Sequence, residues 1–214
     1  MKRAAIVLSI MVMTLGLAVQ AHADSFTIFG TGEDTSGAFL PAGAVDQNYT
    51  ITSYPGTVGA PLSAYVENLS PNPFWPGTVS SGDTLTPDVA GTGWYTYTTS
   101  FSLAGYDPAT ASLAGFWSAD DAMEGVYLNG DIIPGTGYQW GWPAQGTFTA
   151  ASGFQAGTNT LSFVVDQADN YWDYINVADM TVTTEPASVP EPPVILLLGL
   201  GLMGLAGLRR KIQA

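Results

Sequence analysis

The sequence predicts an all-β domain, a single β-sandwich, framed by two segments that do not belong to the fold. Three observations carry this. Through the middle of the chain, short stretches rich in aromatic and β-branched residues alternate with Gly, Pro, Asn and Asp clusters. Strong helical periodicity is absent there. The chain has no cysteine, so packing rather than a disulfide framework must hold it. Of its 214 residues, the 163 from 24 to 186 form one domain's worth of sequence, long enough to bury a core.

The first 23 residues read as an export signal. Lys2 and Arg3 precede an apolar run over 4–19, and Ala21-His22-Ala23 supplies a small-residue cleavage site. Cleavage after Ala23 removes His22, the only histidine in the chain.

The strands follow in order. Residues 25–29 alternate directly after the cleavage site. Residues 49–54 and 64–67 read as strands within a stretch richer in Pro and Gly, where Trp75 anchors the loop 72–77. Residues 94–103 (WYTYTTSFSL) alternate clearly, and Trp94 and Trp117 are assigned to the core. Residues 112–117 lead into an acidic turn at Asp120-Asp121. Residues 125–128 end at Asn129-Gly130, the strongest hairpin signal in the chain. Short strands are expected at 146–149 and 160–165, and 176–184 closes the domain. About eight strands at this spacing fit a sandwich of the jelly-roll kind.

After the domain, residues 187–214 change character. Pro190-Glu191-Pro192 precedes an apolar run over 194–208, and Arg209-Arg210-Lys211 follows. Fifteen helical residues reach about 22 Å, short for a ~30 Å hydrocarbon core. The basic end favours the cytoplasmic side, which leaves the domain outside.

Two resemblances emerge from these residues. The Pro-Glu-Pro, apolar run and basic end resemble the PEP-CTERM sorting signal of Gram-negative bacteria. The resemblance implies an exported protein anchored in the inner membrane by a C-terminal helix until an exosortase-type enzyme processes it. It places the product at the cell surface or in the extracellular matrix, with exopolysaccharide as a partner. The stretch from 94 to 182 is similar to galactose-binding-like jelly rolls. There a "W-x-x-D-[DN]" turn precedes a "V-x-[VL]-N-G" hairpin and an "F-x-x-G-x-N-x-L-x-F-x-V" strand. Phe154, Gly157, Asn159, Leu161, Phe163 and Val165 fill the last pattern. Familiar sugar-binding members use basic residues with aromatics, and this domain has only the aromatics.

Charge excludes much chemistry. All five basic residues lie at positions 2, 3 and 209–211, whereas 17 carboxylates lie between Asp24 and Glu185. Such a domain repels phosphate backbones, so nucleic acid is excluded as a partner. Without His, Lys, Arg or Cys there is no Ser-His-Asp triad, Cys-His pair, Ser-Lys dyad or His-ligated zinc. The remaining hydrolytic route is a carboxylate pair on a glycosidic bond, and no such pair is evident in sequence.

Two acidic clusters are candidate calcium ligands: Asp120, Asp121 and Glu124 in one, Asp166, Asp169 and Asp173 in the other. Equally, the first can cap its turn and the second can be a polar loop between strands. Six tryptophans and ten tyrosines offer faces on which sugar rings stack. Trp140 and Trp142 in one loop, and Trp172 and Tyr174 in another, are the candidate glycan contacts; packing at the sandwich ends is the alternative. The leading expectation is a non-enzymatic, exopolysaccharide-associated surface protein. A calcium-bridged adhesin without a sugar site comes second, and a carboxylate-based glycosidase third.

Overall fold

The computed structural model describes residues 22–55, 62–67, 84–87, 92–140, 144–168, 174–187, 199 and 201–202. The strands are β1 (Asp24–Thr27), β2 (Val45–Ser53), β3 (Leu62–Glu67), β4 (Thr84–Pro87), β5 (Gly93–Ser102) and β6 (Tyr106–Asp120). They continue as β7 (Ala122–Leu128), β8 (Asp131–Ile132), β9 (Gln139–Trp140), β10 (Ala144–Ala150), β11 (Thr158–Gln167) and β12 (Tyr174–Pro186). The domain is all-β, as its patterning predicts. Among the described residues there are twelve strands rather than about eight. The additions are the short strands β4, β8 and β9, because hydrophobic alternation is weak over two to four residues.

The strands join in one hydrogen-bonded ribbon, β10-β6-β12-β4-β3-β2-β5-β11-β7-β8, with β1 on β12 and β9 on β7. The ribbon folds on itself. Phe148 on β10 meets Phe163 on β11 edge to face at 5.6 Å. Tyr49 on β2 lies 6.4 Å from the same ring and directs its hydroxyl at Met180 Sδ on β12, 3.8 Å away. One face is therefore β10-β6-β12-β1, and the opposing face is β2-β5-β11-β7. The chain crosses between them at Asp121, where β6 ends and β7 begins.

Period-two alternation assigns the core. On β11, Leu161, Phe163 and Val165 are buried; on β5, Tyr95, Tyr97 and Phe101 are buried. Trp117 is fully buried, with its ring against Gly146, where an added Cβ would stand 3.0 Å from the indole. Trp94 corrects the sequence expectation: it is 60% exposed. It shares its phase with Thr96, Thr98 and Ser100, and Tyr95 and Tyr97 take the inward positions.

Two sequence motifs prove to be one clasp. Asn129 and Gly130 both have positive φ, 54° and 91°, which suits the tight hairpin between β7 and β8. The Asn129 amide donates to Asn159 Oδ1 at 2.8 Å, and Asn129 Oδ1 accepts from the Thr160 backbone at 2.9 Å. Asn159 also accepts from Gln155 N and donates to Gln155 O. Phe154 packs edge-on against Phe101 at 6.4 Å.

The two ends of the domain meet. Asp24 pairs with Thr184 across β1 and β12, and Ala187 N donates to Gly105 O at 2.9 Å. The segments on either side of the domain therefore leave from the same edge. Ala21, the Pro-Glu-Pro motif and the basic end lie outside the described residues, as do Trp75 and nearly all of the apolar run. Among the described residues no helix is long and apolar enough to cross a membrane.

Candidate functional site

A row of cross-strand neighbours places the most exposed aromatic rings together. Ala122 on β7 stands opposite Trp140 on β9 and opposite Asp166 on β11. Asp166 in turn stands opposite Trp94 on β5. Cross-strand partners project to the same side of a sheet, so Trp140, Ala122, Asp166 and Trp94 form one line. At ~4.8 Å per strand it spans about 14 Å. Its phase is outward, because Val165 and Tyr95 beside it point into the core. Trp140 is 62% exposed and Trp94 60% exposed, whereas Ala122 is buried between them.

Tyr138 extends this row. Its ring stacks on Trp140 with centroids 6.5 Å apart and planes 20° from parallel. The segment carrying both is pinned to β7 by Thr136, which is buried. Thr136 Oγ1 accepts from Val126 N at 3.1 Å and donates to Ile133 O at 2.8 Å. Ile133 N donates to Val126 O at 2.8 Å. The aromatic pair thus rides on a segment held by backbone bonds.

One carboxylate, Asp166, stands within the row. Asp166, Glu124 and Asp121 are half-buried. The Tyr138 hydroxyl is held above its ordinary range by lost hydration, and further by the charges of Asp166, Glu124 and Asp121. Glu124 is the extra residue of a bulge, since Gly125 pairs with Val164 and Met123 with Val165. Asp121 Oδ2 accepts from Ala168 N at 2.8 Å. Asp121 therefore ties its bend to the end of β11, beyond the local turn expected from sequence.

The next rows of the same face carry hydroxyls. Thr52 and Thr98 are 2.9 Å apart, and Thr98 and Ser162 3.1 Å apart, oxygen to oxygen. The face therefore carries hydroxyls beyond the aromatic row at its end.

Of the expected glycan contacts, Trp140 is on this face. Trp142 and Trp172 lie outside the described residues, and Tyr174 is described only in its backbone, opposite Asp120. Asp166 stands in the row, and Asp166, Glu124 and Asp121 all raise the Tyr138 hydroxyl through their charge. Asp120 is buried at the end of β6, and Asp169 and Asp173 lie outside the described residues. Among the described residues no three carboxylates stand as a metal-binding group. Sequence reasoning missed Trp94 and Tyr138. For Trp94 the signal was present: it alternates in phase with Thr and Ser. For Tyr138 nothing local marks the stack.

Comparison with known proteins adds an address. Residues 188–211 match the PEP-CTERM protein-sorting motif. The chain thus carries the sorting signal that its Pro-Glu-Pro, apolar run and basic end indicate. No curated protein matches it. Among solved structures it is similar to a family 35 carbohydrate binding module from an environmental isolate. The two are 19% identical with a TM-score of 0.31, over 66% of this chain and 98% of that one. It is also similar to the CBM36-1 domain of a multidomain xylanase from the hindgut metagenome of Trinervitermes trinervoides. That pair is 14% identical with a TM-score of 0.30, again over 66% and 98%. A GH26-CBM35 β-(1,4)-mannanase from Podospora anserina is 18% identical with a TM-score of 0.24, over 81% of this chain and 29% of that one.

Proposed function

We propose that this chain is an exported, non-catalytic surface or matrix protein whose sandwich binds extracellular polysaccharide along its aromatic face. We read the sandwich as a galactose-binding-like jelly roll. The sorting motif at 188–211 supports export, transient anchoring in the inner membrane and processing by an exosortase-type enzyme in a Gram-negative cell.

The observation that carries the binding role is the outward row of Trp94, Asp166 and Trp140, with Tyr138 stacked beside it. Large exposed aromatic faces on a rigid sheet are costly to leave in water and suit the apolar faces of sugar rings. Asp166 between them can accept hydrogen bonds from ring hydroxyls.

Two arms test this reading. Co-sedimentation of the full chain with the host's extracellular polysaccharide should fall at least about tenfold in Trp94→Ala/Trp140→Ala, since each lost ring contact is worth about 1 kcal/mol or more. Replacing Pro190, Glu191 and Pro192 by alanine should leave an unprocessed form in the inner membrane. Undiminished sedimentation would remove the aromatic row from the binding role. Normal processing would remove the motif from the sorting role.

A further inference from the structure

Resting on the glycan-binding reading, we propose that the aromatic face selects a cationic polysaccharide, one built from amino sugars with free ammonium groups. The surface that makes this case combines exposed rings with charge of a single sign. Its rings are exposed: Tyr138 at 53%, Trp140 at 62% and Trp94 at 60%. Its charges have one sign: Asp166 lies within the row, and Asp121 and Glu124 lie close enough to act on the Tyr138 hydroxyl.

Charge complementarity decides the occupant. Between residues 24 and 186 there is no Lys, Arg or His, so no basic side chain of the domain can neutralise these carboxylates. An acidic glycan would meet repulsion from Asp166 between the two tryptophans. A neutral glycan would stack and hydrogen-bond to Asp166 but leave its charge uncompensated. An ammonium seated over Trp94, one strand from Asp166, gains a cation–π contact. It also gains a charge-assisted hydrogen bond to a carboxylate. A polymer can carry a further sugar ring onto the Tyr138–Trp140 pair at the other end of the ~14 Å row.

The geometry of the row suits a chain laid across the strands. Trp94 and Trp140 stand at the two ends of the row with Asp166 between them, and the hydroxyl pairs Thr52–Thr98 and Thr98–Ser162 continue the face. Nothing in this arrangement calls for a covalent step. Binding is reversible and set by pH through the sugar amine.

The test titrates the full chain in mild detergent, by tryptophan fluorescence and calorimetry, with four oligosaccharides of equal length. They are β-1,4-glucosamine, its fully N-acetylated form, a neutral β-1,4-glucan and a polyuronate. The glucosamine oligomer should bind about tenfold more tightly than the N-acetylated and neutral ones. The polyuronate should not bind. The preference should vanish in Asp166→Asn, at high salt, and above the pKa of the sugar amine. Asp131→Asn, the same charge change at an exposed hairpin residue, should preserve it.

Equal binding of glucosamine and neutral oligomers, abolished by Trp94→Ala, would overturn the cationic selectivity and leave the glycan platform standing. Failure of every oligosaccharide to bind would overturn both. A glucosamine preference that survives Asp166→Asn or falls equally in Asp131→Asn would reduce the effect to bulk attraction by an acidic domain and overturn the proposal.

Discussion

Asp46 shows how an acidic chain without bases accommodates a buried carboxylate. It is 5% exposed and accepts from three backbone amides, Gly32, Asn48 and Tyr49, each at 2.7 Å. It thereby pins the loop before β2 to the start of that strand. Asp46→Ala leaves three amides without their acceptor. Lost acceptors at a buried site cost about 1–3 kcal/mol and together can cost more, so we expect about 2–4 kcal/mol of destabilisation. Urea unfolding checks it, and a loss under 1 kcal/mol would mean that the loop simply rehydrates. Trp94 teaches the opposite lesson at the same scale. Aromatic identity argues for the core, but the phase of the strand argues for solvent. On a regular strand phase wins, because Tyr95 and Tyr97 already fill the inward positions.

At the scale of elements, the clasp between the β7–β8 hairpin and the start of β11 explains why both motifs carry asparagine. Asn159 is completely buried and acts in both directions. It accepts from Asn129 and Gln155 N, and donates to Gln155 O and Gly157 O. Among side chains of its size only an amide can accept twice and donate twice. Asn159→Asp keeps the acceptor but turns a carboxylate on two carbonyls. It should destabilise the domain by about 2–3 kcal/mol, no less than Asn159→Ala. Thermal melts of the two variants decide it: an aspartate that behaves like wild type would show that the donor half of the clasp carries nothing. The "N-G" and "G-x-N" signals were legible in sequence as turns. Their union was not, because thirty residues separate Asn129 from Asn159 and only the β7–β11 pairing brings them together.

At the scale of the whole molecule, charge sets the response to pH. Burial holds the Asp46 carboxyl above its ordinary value of 3.8, despite the three amides that pull it down. As pH rises, the unfolded chain releases this proton first. The pH-dependent part of the Asp46 contribution is therefore complete below 3.8 and lost as pH rises through its raised folded value, whereas its bonds to the three amides remain. Asp34 runs the other way. The Ser36 hydroxyl and the amides of Ala38, Ser36 and Gly37 hold it below 3.8. Its contribution is present above 3.8 and lost as pH falls through its lowered folded value. Seventeen carboxylates without a base add self-repulsion at neutral pH. The melting temperature should climb as pH falls from neutrality toward about 4, then drop in stronger acid. Sodium chloride at neutral pH should also raise it by screening. A melting temperature that falls steadily with acid would contradict this balance. In the same series, a calcium increment beyond that of sodium at equal ionic strength would favour the cation-bridged reading.

The sequence alone determined the all-β class, the absence of thiol, histidine and lysine chemistry in the domain, and the sorting motif at its end. Each is a local or compositional property: alternation, residue inventory and a short ordered motif. Tertiary structure alone decided the aromatic row. Trp94, Asp166, Ala122 and Trp140 lie on four different strands. Neighbours in a sheet are fixed by register, and register is set by how two faces bury their side chains against each other. That information resides in the packed pair of faces and in no single stretch of the chain.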